Sequence, residues 1–117
     1  MKDNSRLLQD ILDAIDSIES YKMDSFDSFL IDGKTQDAII YNLIIMGEAA
    51  NRIDQEFQDN HPEIPWSSIV GTRNVIVHGY DQVKLHIVWD IIQKNIGPLK
   101  ISMLKILKIN HNSPSVQ

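Results

Sequence analysis

The chain has 117 residues, enough for one domain and too few for two well-cored ones, and its 43% hydrophobic and 23% charged residues give the balance of a globular protein. It contains no cysteine, which excludes disulfides, thiolate zinc sites and cysteine nucleophiles. The net charge of −5 conceals an asymmetry: residues 1–65 carry 5 basic and 14 acidic side chains, whereas residues 66–117 carry 6 and 2. The two halves either complement each other inside a bundle or dimer, or face different partners.

The first residues lead straight into a charged amphipathic pattern with no apolar leader, and no apolar run reaches bilayer length, so the expected location is cytoplasmic. After the capping candidates Asp3, Asn4 and Ser5, the spacing of Leu7, Leu8, Ile11, Leu12, Ile15 and Ile18 predicts one amphipathic helix. Its outer stripe, Asp10, Asp13, Asp16 and Glu19, is read as solvated and is assigned no chemistry. Phe26, Phe29 and Leu30 anchor a short turn or helical piece, and Asp32-Gly33-Lys34 makes a break.

A long helix is then predicted from about Thr35 to Phe57, on Ile39, Leu43, Met46, Ala50, Ile53 and Phe57. Gly47 inside it costs up to about 1 kcal/mol of helix propensity relative to alanine, which points to close approach of another backbone. The prolines of His61-Pro62-Glu63-Ile64-Pro65-Trp66 end that helix and impose an extended connection. The β-branched run Val75-Ile76-Val77 has strand propensity, but no partner strand is evident and helix is preferred there.

A further helix is expected from Asp81 to about Ile96, ended by Gly97-Pro98, and a last one carries Leu99, Met103, Ile106 and Leu107 with a basic side of Lys100, Lys105 and Lys108. Trp66 and Trp89 read as core anchors. The expected architecture is all-α: an antiparallel bundle of about four to five helices over residues 1–109, followed by a polar tail at 110–117.

Chemistry concentrates between Arg73 and Tyr80, where a guanidinium, the Asn74 amide, the His78 imidazole and a phenol occur together. An imidazole can take and return a proton near neutral pH, and a guanidinium can hold charge growing on a phosphoryl oxygen. These are the needs of phosphodiester cleavage. Successive helical residues turn by about 100°, so Asn74 and His78 share a face while Arg73 and His78 stand roughly 140° apart. A straight helix cannot easily aim both at one phosphate. Either the helix breaks near Gly79, or the same segment of a second subunit completes the site, and the second is favoured. His61, His86 and His111 form no metal-ligand spacing, so neither a metal nor another cofactor is expected.

Arg73, His78 and Tyr80 form an R-x4-H-x-Y pattern, with Met46-Gly47-Glu48-Ala49, Ile64-Pro65-Trp66 and Ile87-Val88-Trp89 around it. On these residues the chain resembles the HEPN superfamily, specifically its HepT-like toxin branch. The resemblance implies a dimeric, metal-independent endoribonuclease of a type VII-like toxin–antitoxin pair, its cleft at the dimer interface. It implies that Arg73 and His78 are catalytic, with Asn74 supporting them. It further implies a minimal nucleotidyltransferase antitoxin as partner and Tyr80 as the position for adenylylation. A nucleotide phosphate there would add bulk and negative charge beside the cleft and oppose RNA binding. The alternative is a non-catalytic helical module that binds nucleotide or regulates the nucleotidyltransferase.

Overall fold

A computed structural model describes residues 3–21, 23–79 and 84–111, with side chains through residue 108. Among the described residues there are seven helices and no strand, so the all-α expectation holds while the expected four to five helices are too few. The difference comes from short elements that apolar periodicity over a long window passes across.

The first helix, α1 (Ser5–Ser20), buries the stripe read from the sequence, with Leu8, Ile11 and Ile15 fully inaccessible. Asn4, just before it, is buried, and its Oδ1 accepts the backbone N–H of Asp54 at 3.1 Å. That bond ties the start of α1 to the end of the helix it packs on, α3 (Gly33–Arg52), so the two run antiparallel. Between them, α2 (Phe26–Leu30) is capped by Ser25, whose hydroxyl accepts the Ser28 N–H at 3.1 Å, and α3 is capped by Asp32, which accepts the Thr35 N–H at 3.1 Å. Those two bonds satisfy N–H groups that a helix start leaves without a partner. The Thr35 backbone N–H, and then its hydroxyl at 2.8 Å, hold the Asp32 carboxyl below the usual carboxylate range.

The predicted helix from Thr35 to Phe57 is in fact two helices. It stops at Arg52; Ile53 is extended, and α4 (Gln55–Asn60) restarts the chain. The break is physical: the Asp54 N–H bonds to Asn4 instead of to its own helix, and the Gln58 side-chain amide donates to the carbonyls of Ala50 and Ile53, each at 3.1 Å, the former also accepting the Ile53 N–H. Ile53 stays buried across the break, which explains why the apolar spacing looks continuous in sequence.

The proline connection that follows is pinned. Ile64 is buried, and the Trp66 indole N–H donates to the His61 carbonyl at 3.0 Å. Pro65 then delivers the chain into α5 (Trp66–His78), so the β-branched run at 75–77 is helical as expected. Of those three residues only Ile76 is buried; Val75 and Val77 face outward.

The remaining helices are α6 (Leu85–Lys94) and α7 (Ile96–His111). The expected start of α6 at Asp81 falls on residues 81–83, outside the described ones. Gly97-Pro98 does not break a helix here. It lies in the first turn of α7, where proline lacks only an N–H that has no helical partner anyway, and the Leu99 N–H already bonds back to Asn95. In that same turn Lys100 reaches Glu19 at 2.8 Å and Asp16 at 3.1 Å, joining the start of α7 to the end of α1. Its bonds to Glu19 and then Asp16 push the lysine pKa up. Part of the acidic stripe is thus paired with the basic last helix, as the complementary-halves reading requires. Trp89 stacks between α6 and α2, with ring centroids 6.0 Å from Phe26 and 5.6 Å from Phe29. No helix among the described residues is long and apolar enough to cross a membrane.

Candidate active site

The site residues are carried by α5, and α5 is placed by its crossing with α3. At the crossing, Gly47 lies directly beneath Arg73: a Cβ added at Gly47 would meet Arg73 Cβ, stand 2.8 Å from its Cγ, and lie 3.1 Å from the Ile69 carbonyl oxygen. The glycine therefore serves the close backbone approach that its position in a long helix predicted, and the neighbour it admits is the arginine of the motif.

Because its root sits against α3, the Arg73 side chain leaves the crossing next to the residue after Gly47. Its Nη2 is 3.7 Å from Glu48 Oε1, and its Nη1 donates to Asn74 Oδ1 at 3.0 Å. The inner nitrogen, Nε, is buried and has no hydrogen-bond acceptor among the described residues. The arginine side chain is 30% exposed, so its root is packed while its outer fork reaches the surface.

Asn74 and His78 are both exposed on α5, four residues apart, and share a face. His78 occupies the last helical turn, and Gly79 follows as the C-cap, its N–H bonding to the Val75 carbonyl. The helix thus continues through His78 without a break, and no residue from 73 to 79 has a positive φ. Five residues of regular helix put Arg73 and His78 about 7.5 Å apart along the axis and roughly 140° apart around it. The helix ends at Gly79, after both residues, so within α5 itself they stand on different faces. Asn74 is brought to Arg73; His78 is not. Tyr80 lies outside the described residues.

Sequence reading assigned Glu48 no role, although it noted the segment around it. The pairing joins residues 25 positions apart, across a helix crossing, and no spacing rule within one helix contains it. Among the described residues, no three His, Asp or Glu side chains converge as a metal-ligating group.

A cavity of about 510 Å³ lies elsewhere. It opens among α3, α5 and the α6–α7 junction, with Leu43, Met46, Ile69 and Leu99 on its apolar side and Thr72 and Lys94 among its polar groups. Neither Arg73 nor His78 lines it. It occupies the face of α5 that includes Ser68 and Thr72, about 100° around the helical wheel from His78. The charged chemistry is therefore on an open surface, which a second macromolecule can reach.

Comparison with known proteins places the chain. The "Probable ribonuclease HepT" of Thermococcus cleftensis is 38% identical over 102 residues, covering 86% of this chain and 93% of that protein. A candidate RNase of Methanocaldococcus jannaschii is 36% identical over 92 residues, 78% of this chain and 76% of the other. A second protein of that organism, described as a gamma-glutamylcyclotransferase and candidate RNase, is 34% identical over 92% of this chain but only 49% of its own length. No solved structure matches the chain. Residues 11–106, a span that contains α3, the crossing at Gly47 and all of α5, match the HepT-like family described as ribonuclease HepT-like, and the chain belongs to that family.

Proposed function

We propose that this chain is a metal-independent endoribonuclease whose Arg73 and His78 act on one phosphate from two subunits of a dimer. The observation that carries the reading is the state of α5 in a member of the ribonuclease HepT-like family: an unbroken helix with an Arg73 whose root is seated against α3 on one side and an exposed His78 on another. The names of the relatives supply the substrate class, RNA. A two-fold pairing of α5 segments brings the arginine of one copy to the histidine of the other, and the exposed Val75 and Val77 offer apolar surface for such a pairing.

In this mechanism His78 takes the proton of an RNA 2′-hydroxyl, and the oxygen attacks the adjacent phosphorus. The bond to the 5′-oxygen breaks, and that oxygen receives the proton back, leaving a 2′,3′-cyclic phosphate and a 5′-hydroxyl end. Arg73 stabilises the charge on the phosphoryl oxygens, with Asn74 supporting its fork. Acid–base transfer and charge stabilisation are each worth about a hundredfold or more. In EDTA, the wild type should cut single-stranded RNA, and Arg73→Ala or His78→Ala should each lose at least about a hundredfold in rate. Equal cutting by wild type and His78→Ala, or no cutting by the wild type, would remove the enzymatic reading.

The proposed partner is a minimal nucleotidyltransferase acting as antitoxin, and Tyr80 is the proposed acceptor of an adenylyl group. Coexpression with such an enzyme and intact-mass measurement tests it. A shift by one adenylyl group that Tyr80→Phe abolishes supports the modification, and an unmodified but neutralised protein refutes it.

A further inference from the structure

The Arg73 fork has one contact from its own helix, with Asn74, and one from across the crossing, with Glu48. Its Nε is buried without an acceptor among the described residues, so the inner edge of the guanidinium gives no directional bond. Nη1 has the neutral amide oxygen of Asn74, on the adjacent residue of the same helix. Among the described residues the charged group against the fork is Glu48, which approaches Nη2 from α3. Glu48 reaches that place because it follows Gly47, the residue on which Arg73 rests.

We propose that Glu48 is a positioning residue for Arg73, setting the direction of the guanidinium fork across the α3–α5 crossing before RNA arrives. This rests on the nuclease reading above and deepens it. At 3.7 Å the contact lies beyond ordinary hydrogen-bond reach, so the hold is one of charge. With side chains 30% and 56% exposed, such a pair contributes little to folding stability. Its effect falls on orientation: a long side chain with a packed root is left with fewer directions for its fork, and transition-state charge is met without a search. The carboxylate also stands near an incoming phosphate, so its charge does nothing for ground-state binding of RNA.

The test uses the full chain with Glu48→Gln, which keeps the shape and removes the charge, beside Glu48→Ala. Kinetics with a defined single-stranded RNA should show kcat lower by about fivefold in both, equivalent to about 1 kcal/mol, with KM unchanged or lower. A wild-type kcat in Glu48→Gln overturns the proposal, because a role in packing is one that the isosteric amide restores. A loss carried wholly by KM overturns it as well. Independently of activity, NMR of the Arg73 guanidinium should show faster rotation about the Cζ–Nη bonds in Glu48→Gln, and unchanged rotation overturns the proposal. If the wild type does not cleave RNA, the nuclease reading fails, while the NMR comparison still decides whether Glu48 holds the fork.

Discussion

Replacing Gly47 by alanine tests the crossing on which the site is built. On an isolated helix the change should stabilise by up to about 1 kcal/mol, since alanine is the better helix former. Here the added methyl lands on Arg73 Cβ and approaches the Ile69 carbonyl oxygen to 3.1 Å. Neither neighbour can rotate away: a Cβ is fixed to its backbone, and the carbonyl is part of α5. The helices must separate, and overpacking of this kind costs about 1–3 kcal/mol. With the collision on such unyielding atoms the upper part of that range applies, leaving a net destabilisation of about 1–2 kcal/mol. In a domain of this size that lowers Tm by roughly 3–8 °C, measurable by circular dichroism. A shift of α5 by about 1 Å also moves Arg73, and misplacement on that scale can cost about a hundredfold in rate. Glycine-specific seating would be refuted by a Gly47→Ala protein that melts at or above the wild-type temperature and cleaves RNA at the wild-type rate.

Three further outcomes follow from the same contacts. Asn4→Ala removes the acceptor for the Asp54 N–H and should lower the urea midpoint by the equivalent of about 1–2 kcal/mol, with an unchanged slope. Asp32 has a folded pKa below its ordinary 3.8, so the stability it contributes is present above that value and is lost as pH falls through the folded pKa. Asp32→Asn, which keeps a good cap, should match the wild type near neutrality and lose stability less steeply on acidification. Lys100 has a folded pKa above its ordinary 10.5, so its contribution is complete below 10.5 and is lost as pH rises through the folded pKa. Chemical denaturation of Lys100→Met should accordingly show a shallower alkaline decline than the wild type; an identical decline would exclude the contacts with Asp16 and Glu19 as its source.

The parts of this fold that sequence made legible are those with one repeating cause. The α1 stripe from Leu7 to Ile18 obeys a single period because a single face is buried. Gly47 was legible because a glycine inside a strong helix needs a reason, and the reason is the Arg73 contact. Features decided by distant residues were not legible. The break after Arg52 depends on Asn4 taking the Asp54 N–H, a contact across 50 positions, while the apolar spacing runs on undisturbed. Pro98 was misread because a proline that ends one helix and a proline in the first turn of the next carry the same local signature. At the site, the angular separation of Arg73 and His78 followed from helix geometry alone, whereas the counter-charge Glu48 needed the crossing to bring it near.

In the proposed two-subunit site, Arg73 of one copy works with His78 of another. The most direct measurement mixes two inactive proteins, Arg73→Ala and His78→Ala, under conditions that allow subunits to exchange, and follows RNA cleavage in EDTA. Random pairing makes half of the dimers hybrid, each with one intact Arg73–His78 pair, so about a quarter of wild-type activity should return. A mixture no more active than its two parents, under exchange that demonstrably occurs and with an active wild type, would contradict the two-subunit site.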